Sequence, residues 1–223
     1  MIENLNLSRR RLLEMSVIAG GALLLPRVDL AFAQPAERMP TSEQAMGPFY
    51  PVAKPIDQDA DLTVIAGKPG KAQGQVIYVM GRVMDLKGRP IPNAQVEIWQ
   101  ANTFGRYTHP NDTNPAPLDP NFEGYGLLVT DQEGRYRFKT IKPAAYPASA
   151  DWTRPPHIHF QITTKANRFV TQMYFAGEPL NEKDSLLASA SNKDTLITKL
   201  TPPTKGLEPD VLVADWDIVL PRT

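Results

Sequence analysis

Six stretches of the chain run apolar or alternate apolar with polar in the manner of short strands. They cover residues 76–83, 95–100, 136–138, 157–162, 169–175 and 211–219; β-branched and aromatic side chains fill them, and Gly, Pro, Asn or Asp bound them. Asp85-Leu86-Lys87-Gly88-Arg89-Pro90 and Asp131-Gln132-Glu133-Gly134 are turn sequences that join neighbours, since Asp and Gly supply the hydrogen bonds and backbone angles a tight turn needs. Helical patterning is confined to residues 184–190, with a second short turn expected at 195–200. There is no internal repeat and no low-complexity tract. The pattern predicts an all-β domain over residues 75–223, an antiparallel β-sandwich with long ordered loops and one or two short helices.

Two segments precede that domain. Residues 34–74 are rich in Pro, Gly and Asp with little periodicity and read as an extended arm; within it Gly47-Pro48-Phe49-Tyr50-Pro51 is an apolar knot that needs a surface to pack on. Residues 1–33 read as an export signal peptide. Ser8-Arg9-Arg10-Arg11 is followed by an apolar run from Met15 to Leu25, then by Ala31-Phe32-Ala33 before Gln34. The adjacent arginines, with Leu12 and Leu13 behind them, resemble a twin-arginine signal, and Glu14 departs from that pattern. The apolar run is too short for a stable membrane anchor. A periplasmic or secreted location is therefore expected, by twin-arginine export or, as the alternative, by general secretion.

Composition narrows the chemistry. The 223 residues carry zero net formal charge, so no electrostatic footprint for nucleic acid is present. There is no cysteine, which removes thiolate metal sites, disulfides and cysteine nucleophiles; a metal must sit on His, Tyr, carboxylate or backbone oxygen. The 22 prolines are roughly twice the average share of about 5% and favour short strands joined by ordered loops.

Only three histidines occur, and two form His157-Ile158-His159 inside a strand. Side chains at i and i+2 share a face, so both imidazoles project into one place while Ile158 and Phe160 point the other way. Two adjacent imidazoles are costly to bury without partners, and a metal resolves that cost. The bare motif is equally compatible with a hydrogen-bonded surface pair. His109, in a polar loop two residues after Tyr107, reads as non-ligating.

The surroundings of the pair are more specific. Arg154-Pro155-Pro156-His157-Ile158-His159-Phe160, Gly105-Arg106-Tyr107 and Lys142-Pro143-Ala144-Ala145-Tyr146-Pro147 stand with Val96-Glu97-Ile98-Trp99-Gln100-Ala101-Asn102 and Thr171-Gln172-Met173-Tyr174-Phe175. In these runs, in order and spacing, the chain resembles the intradiol ring-cleavage dioxygenases, most closely the iron-bearing subunits of their protocatechuate-cleaving branch. The resemblance spans about residues 81–220. It implies that Tyr107, Tyr146, His157 and His159 ligate one Fe(3+) per chain, with Tyr107 the ligand a substrate displaces and Tyr146 the one retained. It further implies a catechol-type substrate cleaved with O2 between its two hydroxylated carbons to a cis,cis-muconate-type diacid. Arg154 is implied as the cation supporting the ketonised catecholate, Gln172 as its hydrogen-bonding neighbour, and Trp99, Gly47 and Pro48 as pocket residues.

In two-subunit relatives the arm element comes from a partner chain, whereas here Gly47 and Pro48 share a chain with the ligands; a homo-oligomer or pairing with a related subunit is expected. The resemblance also implies a tryptophan where this chain has Ala148, and a longer segment between Tyr146 and Arg154, so a widened pocket is expected. A second function remains open: from Gly81 through Asp85, Gly88, Pro90 and Ala94 to Val96 the chain is also similar to transthyretin-like sandwich modules, which bind and do not catalyse, so a binding module or an inactive relative is the alternative.

Overall fold

Alternation in the strand that starts at Val76 carries it two residues past Val83 in the computed structural model, which describes residues 37–55 and 57–222. The strands in chain order are β1 (Val76–Asp85), β2 (Gln95–Trp99), β3 (Tyr125–Val129), β4 (Arg135–Ile141), β5 (Tyr146–Ser149), β6 (Trp152–Arg154), β7 (His157–Thr163) and β8 (Arg168–Phe175). The helix α1 (Ser185–Ala188) follows, then β9 (Ile197–Thr198), β10 (Leu200–Thr201), β11 (Leu212–Asp215) and β12 (Ile218–Leu220). One sheet has the order β10-β11-β1-β12 with β4 on the other edge of β1; the second has the order β3-β2-β7-β8-β9; β5 and β6 form a separate hairpin. Residues 1–33, expected to be an export signal, and Gln34 lie outside the described residues. No helix among the described residues is long and apolar enough to cross a membrane.

The sandwich of short strands is as expected, and its long neighbours pair antiparallel: β1 with β4, β2 with β7, β7 with β8. Three pairings depart from that rule, since β11 and β12 run parallel to β1 and β9 runs parallel to β8. The strand expected over 211–219 is broken at Trp216. There the Trp216 amide donates to the Met80 carbonyl at 2.8 Å, and the Asp217 carboxylate accepts from the Arg82 amide at 2.9 Å. Gly81 permits this close approach, because a Cβ on it would run into the Trp216 carbonyl. The turn expected at 195–200 is instead a 3-10 turn at Lys193–Thr195 followed by β9 and β10. Tertiary pairing of Ile197 with Tyr174 extends the backbone there.

Between the sheets Ile77, Val79, Val96, Ile98, Phe138, Ile158, Phe160 and Ile162 pack in one fully buried cluster. Each such side chain contributes about 1.5–3 kcal/mol by leaving water. Strand β7 is buried on both faces, however, so a second cover is needed. The arm supplies it. Thr41 and Gln44 donate backbone hydrogen bonds to Val219 and Val170, Leu62 is fully buried in the core, and the stretch between them lies over the outer face of β2, β7 and β8.

Candidate metal centre

The site stands on that covered outer face. Strand register places Trp99 opposite His159 and His159 opposite Gln172, while His157 sits opposite Tyr174. Ile158 points into the sandwich core, so His157 and His159 share the other face, as alternation requires. Tyr146 opens β5 and pairs with Arg154 at the end of β6, and Tyr107 arrives on the long loop between β2 and β3. The structure thus brings all four aromatic donors together. The Tyr107 and Tyr146 rings lie 5.3 Å apart, Tyr146 lies 5.6 Å from His157, and Tyr107 lies 6.2 Å from His159.

Their protonation suits a metal. His157 Nδ1 sits 2.7 Å from the Pro155 carbonyl and donates to it, which leaves the Nε2 lone pair facing inward. The two Nε2 atoms are 3.2 Å apart. Two nitrogens held about 2.1 Å from one ion at adjacent positions lie about 3 Å apart, so the spacing fits a shared cation. Burial, then the nearby Arg154 charge, pushes both imidazoles well below the usual histidine range. Both are therefore neutral, the form that ligates. Burial raises both phenols; the neighbouring Tyr146 adds to the effect on Tyr107, and Arg154 opposes it at Tyr146. Tyr107 Oη is buried with no hydrogen-bond partner among the described residues, an omission that costs about 1–3 kcal/mol in an empty site. A hard, highly charged cation would deprotonate the phenols and satisfy that atom, so the donor set fits a metal.

Arg154 is the electrostatic centre of the wall. Its Nε donates to Asp184 Oδ2 at 2.9 Å, its Nη2 to Gln172 Oε1 at 2.9 Å and to Tyr174 Oη at 2.6 Å, and its Nη1 faces His157 Nε2 at 3.1 Å. Burial works against the guanidinium charge, but Tyr174 and Asp184 outweigh it and hold the charged form. Gln172 in turn donates to the Ala45 carbonyl at 2.7 Å, which ties the wall to the arm.

The remaining sequence-predicted residues fall around this core. Trp99 stacks on the His159 ring at 4.9 Å and 8°, so it supports a donor from below and also lines a cavity of about 120 Å³ beside Tyr107 and Phe49. Gly47 is exposed on its outer side, yet a Cβ there would lie 3.1 Å from His159 Cε1; its positive φ of 74° also favours glycine. Pro48 is exposed beside it. His109 packs against Phe49 at 5.7 Å, and its Nδ1 accepts from the Asn111 amide. Ala148 is exposed on the β5–β6 hairpin, but Trp152 on the facing strand lies 5.6 Å from the Arg154 guanidinium. The shortened hairpin thus keeps an indole near the site, on the opposite strand from the one the resemblance implies.

Sequence reasoning missed three contributors. Asp184 reads as a helix start, and it does cap α1 by accepting from the Leu187 amide, but its ion pair with Arg154 spans 30 residues and leaves no local signal. Phe49 packs on Tyr107 at 4.6 Å. Glu97 accepts from Tyr50, Lys54 and Tyr125 through Oε2 and from Gln161 through Oε1, which pins the arm. An acid between Val96 and Ile98, on the same strand face as Trp99, was the available clue to Glu97.

Gly105 couples the two tyrosines. Its φ is +79°, and a Cβ would strike the carbonyl of Ala145, the residue before Tyr146, two residues ahead of Tyr107 itself. Gly105→Ala is expected to cost about 1–3 kcal/mol of stability and to lower metal occupancy, measurable by calorimetric melting and metal analysis. An unchanged melting temperature and full occupancy would sink this account.

Comparison with known proteins agrees with the geometry. The family model Dioxygenase_C, described as "Dioxygenase", matches residues 45–222. The chain is 44% identical over 192 residues to the protocatechuate 3,4-dioxygenase beta chain of Burkholderia cepacia, covering 82% of this chain and 81% of that one. It is 31% identical over 162 residues to catechol 1,2-dioxygenase of Candida albicans, covering 66% of this chain and 51% of that protein, so it spans about half of that relative's length. Catechol 1,2-dioxygenase of Acinetobacter sp. ADP1, solved with bound mercury, superposes with a TM-score of 0.63 at 25% identity over 82% of this chain and 63% of that one. These matches decide between the two functions left open by the strand pattern, against the non-catalytic transthyretin-like module. The chain belongs to the intradiol ring-cleavage dioxygenase family.

Proposed function

We propose that Tyr107, Tyr146, His157 and His159 hold one ferric ion per chain, and that the site opens a catechol-type ring with O2 between its hydroxylated carbons. The observation that carries this reading is the convergence of two neutral, lone-pair-bearing imidazoles 3.2 Å apart with two buried phenols, one of them partnerless. Phenolates are hard anionic donors and favour ferric over ferrous iron. A ferric ion held by these four residues would supply Lewis acidity toward the catechol oxygens and so ready a ring carbon for O2.

The chain's own groups do the rest. Tyr107 Oη, free of protein hydrogen bonds among the described residues, is the group that would take up one catechol proton and make way for the substrate. The Arg154 guanidinium, aimed at His157 Nε2 and locked by Asp184, Gln172 and Tyr174, stabilises the negative charge that gathers on the ring carbon and its oxygen. Trp99 fixes the His159 ring, and Gly47 lets the arm close over it to exclude water. Both atoms of O2 enter the product, a cis,cis-muconate-type diacid.

The substrate is a substituted catechol; Trp152, whose ring lies 5.6 Å from the Arg154 guanidinium, and Gly47, which approaches the His159 ring, are the groups that would meet it. Because the arm and the ligands belong to one chain, the site is complete without a second kind of subunit; association is then homo-oligomeric or with a related chain. The leader with its adjacent arginines supports export to the periplasm or beyond. Oxygen uptake over a panel of substituted catechols, with products identified, tests the proposal. One O2 consumed per ring and a muconate-type product are expected; extradiol products, or no uptake by iron-loaded protein across the panel, would overturn it.

A further inference from the structure

We propose that Asp57, Asp59 and Glu123 form a second site, for a divalent cation of the calcium class, that fastens the arm to the sheet edge beside the ferric centre. One oxygen from each carboxylate lies within 4.8 Å of the others. Two oxygens bound to one calcium ion at about 2.3–2.6 Å can be no more than about 5 Å apart, so the cluster is already near coordinating size. Clustering alone would mean little, because exposed acids often gather without a cation. Glu123 differs: its residue is 8% exposed, and its Oε2 is buried with no hydrogen-bond partner among the described residues. An uncompensated buried carboxylate is costly, and none of the three acids takes part in an ion pair among the described residues. The nearest lysine on the same cavity wall, Lys68, spends its ammonium on the Pro120 carbonyl.

Position is set by the fold. Asp57 Oδ2 accepts from the Ala66 amide and Asp59 Oδ1 from the Asp61 amide, which fixes the position of both carboxylates. Between them the Gln58 carbonyl accepts from the Leu127 amide of β3, so the arm carboxylates are held against the strand that follows Glu123. Only oxygens converge, with no histidine or cysteine, which selects a hard cation over zinc or copper. Burial and then the charges of Asp57 and Asp59 push the Glu123 carboxyl up to about 8, so the metal-free site carries a proton near neutral pH that a cation displaces.

Calorimetric titration of calcium chloride into the iron-loaded full chain tests this without reference to turnover. One calcium per chain is expected, with a Kd of about 10⁻⁵–10⁻³ M and proton release seen as a dependence of the heat on the buffer. Glu123→Gln should weaken binding at least tenfold; if that variant does not fold, Asp57→Asn on the half-exposed arm should do the same. No saturable binding up to about 10 mM, well above the weakest extracellular calcium modules, overturns the proposal, as does wild-type affinity in the folded variants. Because iron is already bound at its own donors, failure here leaves the ferric reading untouched.

Discussion

Arg154→Ala is expected to leave catechol binding largely intact and to slow ring opening by about 10²–10³-fold, the usual loss when one donor to developing negative charge is removed. The guanidinium touches His157, Gln172, Tyr174 and Asp184 at once, so it is both a charge and a brace. Its removal also leaves Asp184, which is fully buried, without its cation, at a cost of about 3–5 kcal/mol. Lower yield of folded protein is thus part of the expected result. Arg154→Lys separates the two effects: it keeps a positive charge near Asp184 but cannot reproduce the fork that meets Asp184 and Gln172 together. Stopped-flow spectroscopy should show the catechol-induced change in the visible band at near-normal rate in both variants, followed by slow decay. Decay at the wild-type rate in folded Arg154→Ala would refute the role assigned to this side chain.

Tyr146→Phe and Tyr107→Phe should part company. Tyr146 is held at the start of the β5–β6 hairpin, opposite Arg154 in register, whereas Tyr107 lies on the loop between β2 and β3, its buried hydroxyl without a hydrogen-bond partner among the described residues. Loss of the Tyr146 hydroxyl is expected to remove most of the phenolate-to-iron absorption and most of the iron. Loss of the Tyr107 hydroxyl should retain part of both and instead impair substrate binding and turnover. The metal-free proteins add a control. Tyr107→Phe deletes an unsatisfied buried hydroxyl, so the metal-free variant should be no less stable than its parent and up to about 1–3 kcal/mol more so. Identical spectra for parent and both variants would mean that the donors are misassigned.

Much of this was legible in the residues themselves. Strand alternation set the shared face of His157 and His159, because a period of two leaves no other option once the segment is extended. Turn chemistry at Asp85 and Asp131 appears as expected, each carboxylate accepting amides two and four residues on. Strand β3 escaped notice since Gly124 and Gly126 dilute its pattern. Gly126 is needed there because a Cβ would meet Leu62 and the Asp59 carbonyl where the arm crosses. The β5–β6 hairpin was hidden by Pro143, Pro147 and Pro155, which read as loop.

What the sequence determined by itself was the sandwich of short strands, the absence of thiol chemistry and the shared face of His157 and His159. Local rules suffice for these, since side-chain alternation and donor chemistry depend on neighbours in the chain; Tyr107 and Tyr146 join the histidines as proposed donors only through the family resemblance. Only the tertiary structure decided that the site lies on the outer face of a sheet, roofed by the chain's own arm. It also decided that Arg154 is held by an acid 30 residues away. The physical reason is burial. Desolvation makes His157 and His159 neutral, raises the phenols and gives the Arg154–Asp184 pair its strength, and no residue carries a record of which distant segment will cover it.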